Sequence, residues 1–222
     1  MRFIQSMRKL LKENRYFLLP YLFTLIFCVV ILFTHSKAEI HIWSNKANSP
    51  FFDQFFKYAT LLGDGIVIAI LFIALLFVKY RFAFAFLAGS LITSAVVNIL
   101  KRLIFTEMFR PAKYFEMHES FQLHIVEGVK MHSLHSFPSG HTATAFNVFF
   151  MLALITENKL LKFIFFITAV LVAYSRVYLS QHFLMDIAAG SVLGVILLIP
   201  FFVWFGKVNK TWLDKSLIYR NE

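Results

Sequence analysis

Long apolar runs, separated by short polar or basic segments, constrain the fold of this chain more than any other feature. Each run is close to the roughly 20 residues that a helix needs to cross a bilayer. The runs cover residues 16–33, 62–78, 82–100, 139–155, 160–178 and 182–205. Because lipid offers no hydrogen bonds, a segment that crosses it must satisfy its own backbone groups. The sequence therefore predicts an all-α polytopic membrane protein with six transmembrane helices in a bundle.

The segments between and beyond these runs predict the domain organisation. Residues 1–15 form a basic segment, residues 16–205 the six-span domain, and residues 206–222 a basic tail. Residues 34–61 alternate aromatic with charged side chains, which is typical of a helix that lies in the membrane interface. We therefore expect an interfacial helix between spans one and two, with an ordinary polar loop as the alternative.

The distribution of basic residues predicts the topology and excludes one class of function. Thirteen of the 22 lysine and arginine residues lie in the two termini and in the 79–81 and 157–162 turns. By the positive-inside rule, both termini are cytoplasmic and the protein is a multi-pass protein of the inner (plasma) membrane. The formal charge of +10 does not indicate nucleic-acid binding, because the basic residues lie in short loops between apolar runs.

Three polar clusters fall on the predicted outward side. The first is Lys101-Arg102 at the end of the third run, followed by Arg110-Pro111. The planar guanidinium of arginine suits phosphate, because it makes two parallel charge-assisted hydrogen bonds. Basic residues that snorkel from a helix end are the alternative explanation for this cluster.

The second cluster is Pro138-Ser139-Gly140-His141, directly before the fourth run. Ser139 is a suitable N-cap residue, and Gly140 permits close approach of the backbone to a ligand. The free N–H groups of that first turn would attract an anion, and His141 is placed to donate a proton. An incidental histidine at an interfacial helix start is the alternative, and the combination of the four residues argues against it.

The third cluster contains Arg176, His182 and Asp186, between two very apolar runs. Ionisable groups are costly at membrane depth and usually have a function there. His182 and Asp186 are four residues apart, so a helix would place them on one face, where the carboxylate can orient the imidazole. A lone histidine is more often structural, but the arginine and the carboxylate favour a functional interpretation.

Together the three clusters resemble the type 2 phosphatidic acid phosphatase (PAP2) family, whose relatives are class A acid phosphatases and vanadium haloperoxidases. That family carries Lys-x6-Arg-Pro, then Pro-Ser-Gly-His, then Ser-Arg-x5-His-x3-Asp. The second and third motifs are intact here, whereas eight residues separate Lys101 from Arg110 and seven separate Arg102 from it. Either Lys101 or Arg102 therefore fills the lysine position.

The resemblance implies a mechanism that fits the residue chemistry. His182 would attack phosphorus and form a phosphohistidine, with Asp186 holding its tautomer. His141 would protonate the leaving oxygen and later activate water. The remaining site residues would bind the phosphate oxygens; they are Lys101 or Arg102, Arg110, Ser139, Gly140 and Arg176.

The resemblance also implies that no metal or other cofactor is needed, because the cations supply the charge stabilisation. A metal site in the polar 101–138 segment is the alternative, but its acidic and histidine residues match no standard ligand spacing. They are Glu107, Glu116, His118, Glu119, His124, Glu127, His132 and His135. That segment is expected to form a lid or to influence headgroup selectivity.

The expected substrate is a lipid phosphate drawn from the surrounding membrane lipids. Undecaprenyl diphosphate is favoured by the outward-facing site; phosphatidylglycerol phosphate, phosphatidic acid and a lipid A phosphate are alternatives. Other functions compete with hydrolysis: a transporter or scramblase that binds phosphate headgroups, a haloperoxidase, or a structural protein with an inactive site. Pure binding needs no pair of histidine and carboxylate, and the haloperoxidase relatives are soluble.

Overall fold

The computed structural model describes residues 2–218, except for the side chains of residues 2–6. Over this range the chain is helical and the predicted all-α class is confirmed. The α-helices are α1 (Arg2–Glu13), α2 (Arg15–Thr34), α3 (Lys37–Lys46), α4 (Pro50–Ala59), α5 (Gly65–Leu76), α6 (Tyr80–Ile99), α7 (Pro111–His118), α8 (Gly140–Ile155), α9 (Lys159–Tyr178), α10 (Leu184–Ile196) and α11 (Leu198–Lys207). Arg220 of the predicted basic tail lies outside the described residues.

Four helical segments are long and apolar enough to cross a membrane, namely α2, Tyr80–Ile104, α9 and Leu184–Lys207. A fifth candidate is the pair Pro50–Gly63 and Gly65–Leu76, which is bent by 56°. The fourth predicted span, 139–155, corresponds to α8, which has only 16 residues. At about 1.5 Å per residue α8 is about 24 Å long, less than the roughly 30 Å hydrocarbon core. The predicted count of six spans is therefore not confirmed, whereas a multi-pass membrane protein is.

The segment 34–61 does not form the single interfacial helix that the sequence predicts. It contains two helices, because it has two strong helix-start signals. Ser36 begins α3 in a capping box with Glu39, and Ser49 caps α4 just before a proline at its first position. Helix α4 continues through a 3₁₀ turn at Thr60–Gly63 and forms one arm of the bent fifth candidate.

Helix α8 forms the centre of the bundle. Ten of its 16 residues are buried, and it packs against α6, α9 and α10. Phe150 of α8 lies against Phe17 of α2, with ring centroids 5.1 Å apart, and Phe17 also meets Phe166 of α9 at 5.9 Å. Burial of large aromatic side chains of this kind dominates core energetics. The core therefore fixes the ends of these helices relative to one another.

Two glycines of α10 allow its close approach to α8. An ideal Cβ on Gly190 would lie 2.5 Å from the carbonyl oxygen of Ser139, and one on Gly194 would collide with the carbonyl oxygen of Ala143. Small residues four apart are a common means of bringing two membrane helices together. At this contact the Ser139 N–H donates to the carbonyl oxygen of Asp186 at 2.9 Å. Two of the predicted polar clusters are thereby joined.

Candidate active site

The His182–Asp186 pair is present, but it is not made by one helix face as the sequence predicts. Helix α9 ends at Tyr178 and α10 begins at Leu184, so His182 lies in the turn between them. Asp186 is the third residue of α10, and its Oδ2 accepts a hydrogen bond from the Phe183 N–H at 2.9 Å. The same oxygen lies 3.3 Å from Nδ1 of His182. The same carboxylate thus caps the N-terminus of α10 and contacts the imidazole. Because the capped N–H belongs to Phe183, the helix starts after His182.

Ser136 adds a second hydrogen bond to this carboxylate and was missed by the sequence analysis. Its hydroxyl donates to Oδ2 of Asp186 at 2.5 Å, and both residues are buried. Oδ1 of Asp186 is also buried and has no hydrogen-bond partner within residues 2–218. The only sequence signal was the position of Ser136, two residues before Pro138.

The environment of His182 keeps its imidazole neutral. The residue is 1 % exposed. Burial and the positive charges of Arg110, Lys101 and Arg176 hold the pKa of His182 well below its ordinary value. With Nδ1 facing a carboxylate, the ring proton belongs on Nδ1 and the lone pair on Nε2. A buried imidazole in this form is a nucleophile at neutral pH.

Arg176 is held at the end of α9 with unused hydrogen-bond donors. It is 7 % exposed, and its Nη1 donates to the Thr60 hydroxyl at 2.7 Å. Its Nε is buried and has no partner within residues 2–218. A buried guanidinium with an unused donor is costly, and such a donor can bind an anion.

Arg110 approaches the same site from the polar segment that precedes α8. Its Nη1 donates to Oε1 of Gln181 at 3.1 Å, and its Nε donates to the carbonyl oxygen of Leu134 at 3.1 Å. Gln181 is itself fixed by a hydrogen bond from its Nε2 to the carbonyl oxygen of Lys130, at 3.2 Å. This arrangement places the arginine directly beside the turn that carries His182.

Lys101, and not Arg102, lies with the other site residues. Lys101 Nζ donates to the carbonyl oxygen of His135 at 3.2 Å, and its charge acts on Arg110, Asp186 and His182. Arg102 is exposed and makes no side-chain hydrogen bond within residues 2–218. Helix α6 ends in a π-helical turn at Leu100–Ile104, where the Phe105 N–H donates to the carbonyl oxygen of Leu100 at 2.7 Å. A π-helical turn contains more residues than an α-helical turn, so it accommodates part of the two-residue excess between Lys101 and Arg110.

The second cluster begins α8 as predicted. Ser139 is the N-cap, and its hydroxyl accepts from the Thr142 N–H at 3.4 Å and from the Thr142 hydroxyl at 2.9 Å. Gly140 follows it, with an ideal Cβ 3.7 Å from Val97. His141 is partly exposed and makes no side-chain hydrogen bond within the described chain, which leaves its ring available to a ligand. The charges of Arg176 and Lys101 act on it.

Two residues outside the predicted clusters also reach the site. Asp64 lies between two glycines in the break of the bent helix pair, and its charge acts on both His141 and Arg176. His41 of α3 is 1 % exposed, and its Nε2 lies 3.1 Å from the hydroxyl of Ser180, beside Gln181 and His182. Burial lowers the pKa of His41 to about 4, so it is neutral. The Gly-Asp-Gly sequence was the available signal for Asp64, and His41 had none.

Specific hydrogen bonds hold the polar 101–138 segment beside the site. Nε2 of His124 lies 2.9 Å from Oδ2 of Asp53 in α4, and the Tyr178 hydroxyl donates to Oδ1 of the same carboxylate at 2.6 Å. Lys57 donates to the carbonyl oxygen of Glu127 at 2.8 Å. Within residues 2–218, no three histidine, cysteine, aspartate or glutamate side chains converge as metal ligands would.

A neutral buried histidine, a carboxylate behind it and three cations with unused donors suit phosphoryl transfer in a membrane helix bundle. Comparison with known proteins agrees. Residues 82–210 match the PAP2 superfamily, which is more than half of the chain. The chain belongs to this superfamily and is a membrane lipid phosphatase, a hydrolase. The resemblance stated from the three clusters is thus confirmed.

Individual relatives extend this comparison. The chain is 27 % identical over 164 residues to the lipid A 4'-phosphatase of Porphyromonas gingivalis, covering 72 % of this chain and 69 % of that protein. It is similar to the crystal structure of Aquifex aeolicus LpxE, with 29 % identity, a TM-score of 0.64, and coverage of 73 % and 92 %. The PAP2-type phosphatidylglycerolphosphate phosphatase of Bacillus subtilis shares the fold, with 24 % identity, a TM-score of 0.62, and coverage of 90 % and 98 %.

Proposed function

We propose that this protein hydrolyses a lipid phosphomonoester through a covalent phosphohistidine on His182, without a metal ion. One observation carries the proposal: the neutral, buried imidazole of His182 is surrounded by Lys101, Arg110 and Arg176. Phosphoryl-transfer enzymes need charge stabilisation around the transferred group, and these side chains supply it. A site that only bound headgroups would not require the carboxylate of Asp186 behind the histidine.

In the first step, Nε2 of His182 attacks phosphorus, and the bond from phosphorus to the ester oxygen breaks. Asp186 holds the Nδ1 proton and stabilises the positive charge that develops on the ring. His141 donates its proton to the departing oxygen, so the lipid leaves as an alcohol. Lys101, Arg110 and Arg176, with the Ser139 hydroxyl and the Gly140 N–H, bind the non-bridging oxygens. Arg102 has no part in this assignment.

In the second step, His141 removes a proton from water as the water attacks the phosphohistidine. The phosphorus–nitrogen bond breaks, inorganic phosphate forms, and the neutral imidazole of His182 returns. The two steps together consume one water molecule for each lipid phosphate cleaved.

The substrate in this proposal is a phosphomonoester, ahead of the undecaprenyl diphosphate that the sequence analysis favours. The lipid A 4'-phosphatase, which is 27 % identical to this chain, acts by its name on a phosphate of lipid A. The substrate's acyl chains remain in the bilayer while its phosphate reaches the end of the bundle that holds His182. The bilayer that surrounds the protein therefore also supplies its substrate.

The proposed topology has six crossings, both termini cytoplasmic and the active site facing outward. Helix α8 starts at the site and ends beside the basic segment of α1, so it connects the two ends of the bundle despite its length. Neighbouring helices cover ten residues of α8 and so shield much of it from lipid. The surplus of lysine and arginine lies at the end away from His182, as the positive-inside rule requires of a cytoplasmic face.

Phosphate release from purified protein in detergent tests this function. With EDTA present, we expect release from lipid A, phosphatidylglycerol phosphate or phosphatidic acid, and a loss of at least about 10³-fold in His182→Ala. His118→Ala is the matched control, since His118 is an exposed histidine at the end of α7. Phosphate release that persists in His182→Ala, or that EDTA abolishes, would contradict the proposal. Binding of lipid phosphates without any release would instead favour a transporter.

A further inference from the structure

A cavity of about 240 Å³ lies beside His141, between α5, α6 and the start of α8. Its lining includes His141, Lys101 and four further polar residues, which are Thr93, Ser94, Asn98 and Thr144. The cavity thus begins at the proposed acid of the reaction and extends away from the phosphate-binding cations along two helices that are otherwise strongly apolar.

The polar side chains of this cavity have unused hydrogen-bonding capacity. Within residues 2–218, the hydroxyls of Ser94 and Thr144 make no hydrogen bond. The Asn98 amide donates one bond, to the carbonyl oxygen of Ser94 at 2.8 Å, and its own oxygen accepts none. Polar groups in apolar helices are costly unless they are satisfied. Ser94 and Thr144 are half-buried and Asn98 is exposed, and these three groups on the facing helices α6 and α8 indicate a polar occupant of the cavity.

The break in the bent helix pair opens the cavity. An ideal Cβ on Gly63 would lie 2.7 Å from the carbonyl oxygen of His141, whereas one on Gly65 meets nothing within 4 Å. Gly63 packs tightly on the helix that carries the acid, and Gly65 borders open space. Irregular backbone at membrane depth is tolerated where it is buried in protein or lines a cavity. The helix break is therefore explained by the cavity that it borders.

We propose that this cavity is the leaving-group subsite and that it binds a hydroxyl-bearing headgroup, a sugar or a glycerol, that carries the phosphate. The inference rests on the proposed function, because it takes His141 as the group that protonates the leaving oxygen. In an in-line displacement the leaving oxygen lies opposite Nε2 of His182. The atoms bonded to that oxygen must then occupy the space beside His141.

The lining matches a polyol better than a second phosphate. Ser94 and Thr144 offer two hydroxyls, which can donate to and accept from the hydroxyl groups of a polyol, and Asn98 offers an amide oxygen, which accepts from them. Lys101 is the single cation in the lining, and it already serves the phosphate that is transferred. The leaving phosphate of a diphosphate would need charged donors of its own. The cavity therefore selects sugar or glycerol phosphates over undecaprenyl diphosphate.

The test compares leaving groups in a variant that keeps the shape of the cavity. Ser94→Ala combined with Thr144→Val removes both hydroxyls and spares Lys101 and His141. We expect kcat/KM for lipid A and phosphatidylglycerol phosphate to fall about fivefold to tenfold, with dodecyl phosphate changed by less than about twofold. Thr34→Val is the matched control, since its hydroxyl bonds to its own helix, in α2, and does not line the cavity.

Each other outcome is distinguishable. Equal losses on all substrates, or no loss on any, would overturn the subsite while the proposed function stands. An unmodified protein that cleaves only dodecyl phosphate would also overturn the subsite, and one that cleaves only undecaprenyl diphosphate would overturn both the subsite and the phosphomonoester assignment. If the double variant does not fold, Asn98→Leu, at an exposed position, takes its place with the same expected selectivity. An unmodified protein that is folded and cleaves no substrate would overturn both proposals.

Discussion

Helices α6 and α9 have a buried or half-buried cation at or just beyond each end, and Arg81 and Arg176 differ most in how the protein binds them. At the start of α6, Arg81 donates to both carboxylate oxygens of Asp214, at 2.9 and 2.7 Å, and to the carbonyl oxygens of Phe205 and Val208. At the start of α9, Lys162 donates to Oδ1 of Asn14 at 2.5 Å. Within residues 2–218, Arg81 thus has four protein acceptor atoms, whereas Lys162 has one.

At the other ends of the same helices, the cations have few protein partners. Lys101 donates one hydrogen bond, to a carbonyl oxygen, and Arg176 donates one, to the Thr60 hydroxyl, while its buried Nε has none within the described chain. A desolvated charge costs several kcal/mol unless partners compensate it. The contrast between the two arginines teaches that Arg81 stabilises the fold, whereas Arg176 keeps a buried donor that can bind a ligand.

The largest effect should come from exchanging arginine for lysine at the two ends. Arg176→Lys removes donors that face the phosphate, so kcat/KM should fall about 100-fold with little change in Tm. Arg81→Lys breaks the bidentate bond to Asp214, which is half exposed, so its loss of about 1 kcal/mol should lower Tm by about 2–4 °C.

Thermal unfolding in detergent and phosphate release, measured on the same preparations, check this pair of variants. Arg81→Lys should keep kcat/KM within about twofold of the unmodified protein, because its donors serve only the protein. The assigned roles of the two arginines would be contradicted if Arg176→Lys lowered Tm and left the activity of the folded fraction intact. They would also be contradicted if both variants lost activity equally.

A smaller effect, on the pH profile, should follow from Arg110→Gln. Burial is the largest cause of the low pKa of His182, and the charge of Arg110 comes next. Removing a positive charge makes protonation of the imidazole easier, so the pKa of His182 should rise. The acid limb of kcat/KM should then move to higher pH, with a loss of about tenfold at neutral pH.

Measurements of kcat/KM from about pH 4 to 8 would reveal the shift of the acid limb. In the unmodified protein this limb should lie below about pH 6.5, the ordinary pKa of histidine, because the pKa of His182 is lowered. Arg110→Lys is the control, because it keeps the charge and should keep the position of the limb. An acid limb at the same pH in Arg110→Gln and Arg110→Lys would contradict the assigned electrostatic role.

The smallest effect should come from Ser136→Ala, which acts through Asp186 without touching the substrate. Loss of its hydrogen bond to Oδ2 leaves the carboxylate less fixed behind His182, and kcat should fall about fivefold with KM unchanged. Ser136→Thr should restore part of the rate, and Ser133→Ala, at an exposed position, should have no effect. A change in KM alone would show that Ser136 acts on binding.

The convergence of the three motifs was predictable because each of them carries residues whose chemistry has few other uses at membrane depth. Ser139 is the predicted N-cap, and Arg176, His182 and Asp186 are neighbours, although His182 lies in the turn before α10 and not on one helix face with Asp186. The choice between Lys101 and Arg102 was not predictable. Spacing alone leaves both within reach, and the π-helical turn at Leu100–Ile104 decides which side chain faces the site.

The residues that the sequence analysis missed act through contacts distant in sequence. Thr60 meets Arg176 across 116 positions, and His41 meets Ser180 across 139. No local pattern encodes such contacts. The bent helix pair was missed for a related reason: hydropathy averages over Gly63-Asp64-Gly65 and cannot reveal a 56° break. Periodicity predicts which segments are helices, and tertiary packing decides where they begin and bend.

The central claim, that His182 receives the phosphoryl group, is tested most directly by trapping the intermediate. His141→Ala should slow hydrolysis of the phosphohistidine more than its formation from p-nitrophenyl phosphate, whose leaving group needs no proton. This substrate, added at neutral pH and quenched in alkali, should therefore leave one acid-labile phosphoryl group on the protein. Mass spectrometry should place it on His182, and the variant that also carries His182→Ala should have none. A phosphoryl group on another residue, or rapid phosphate release with His182 replaced, would contradict the account.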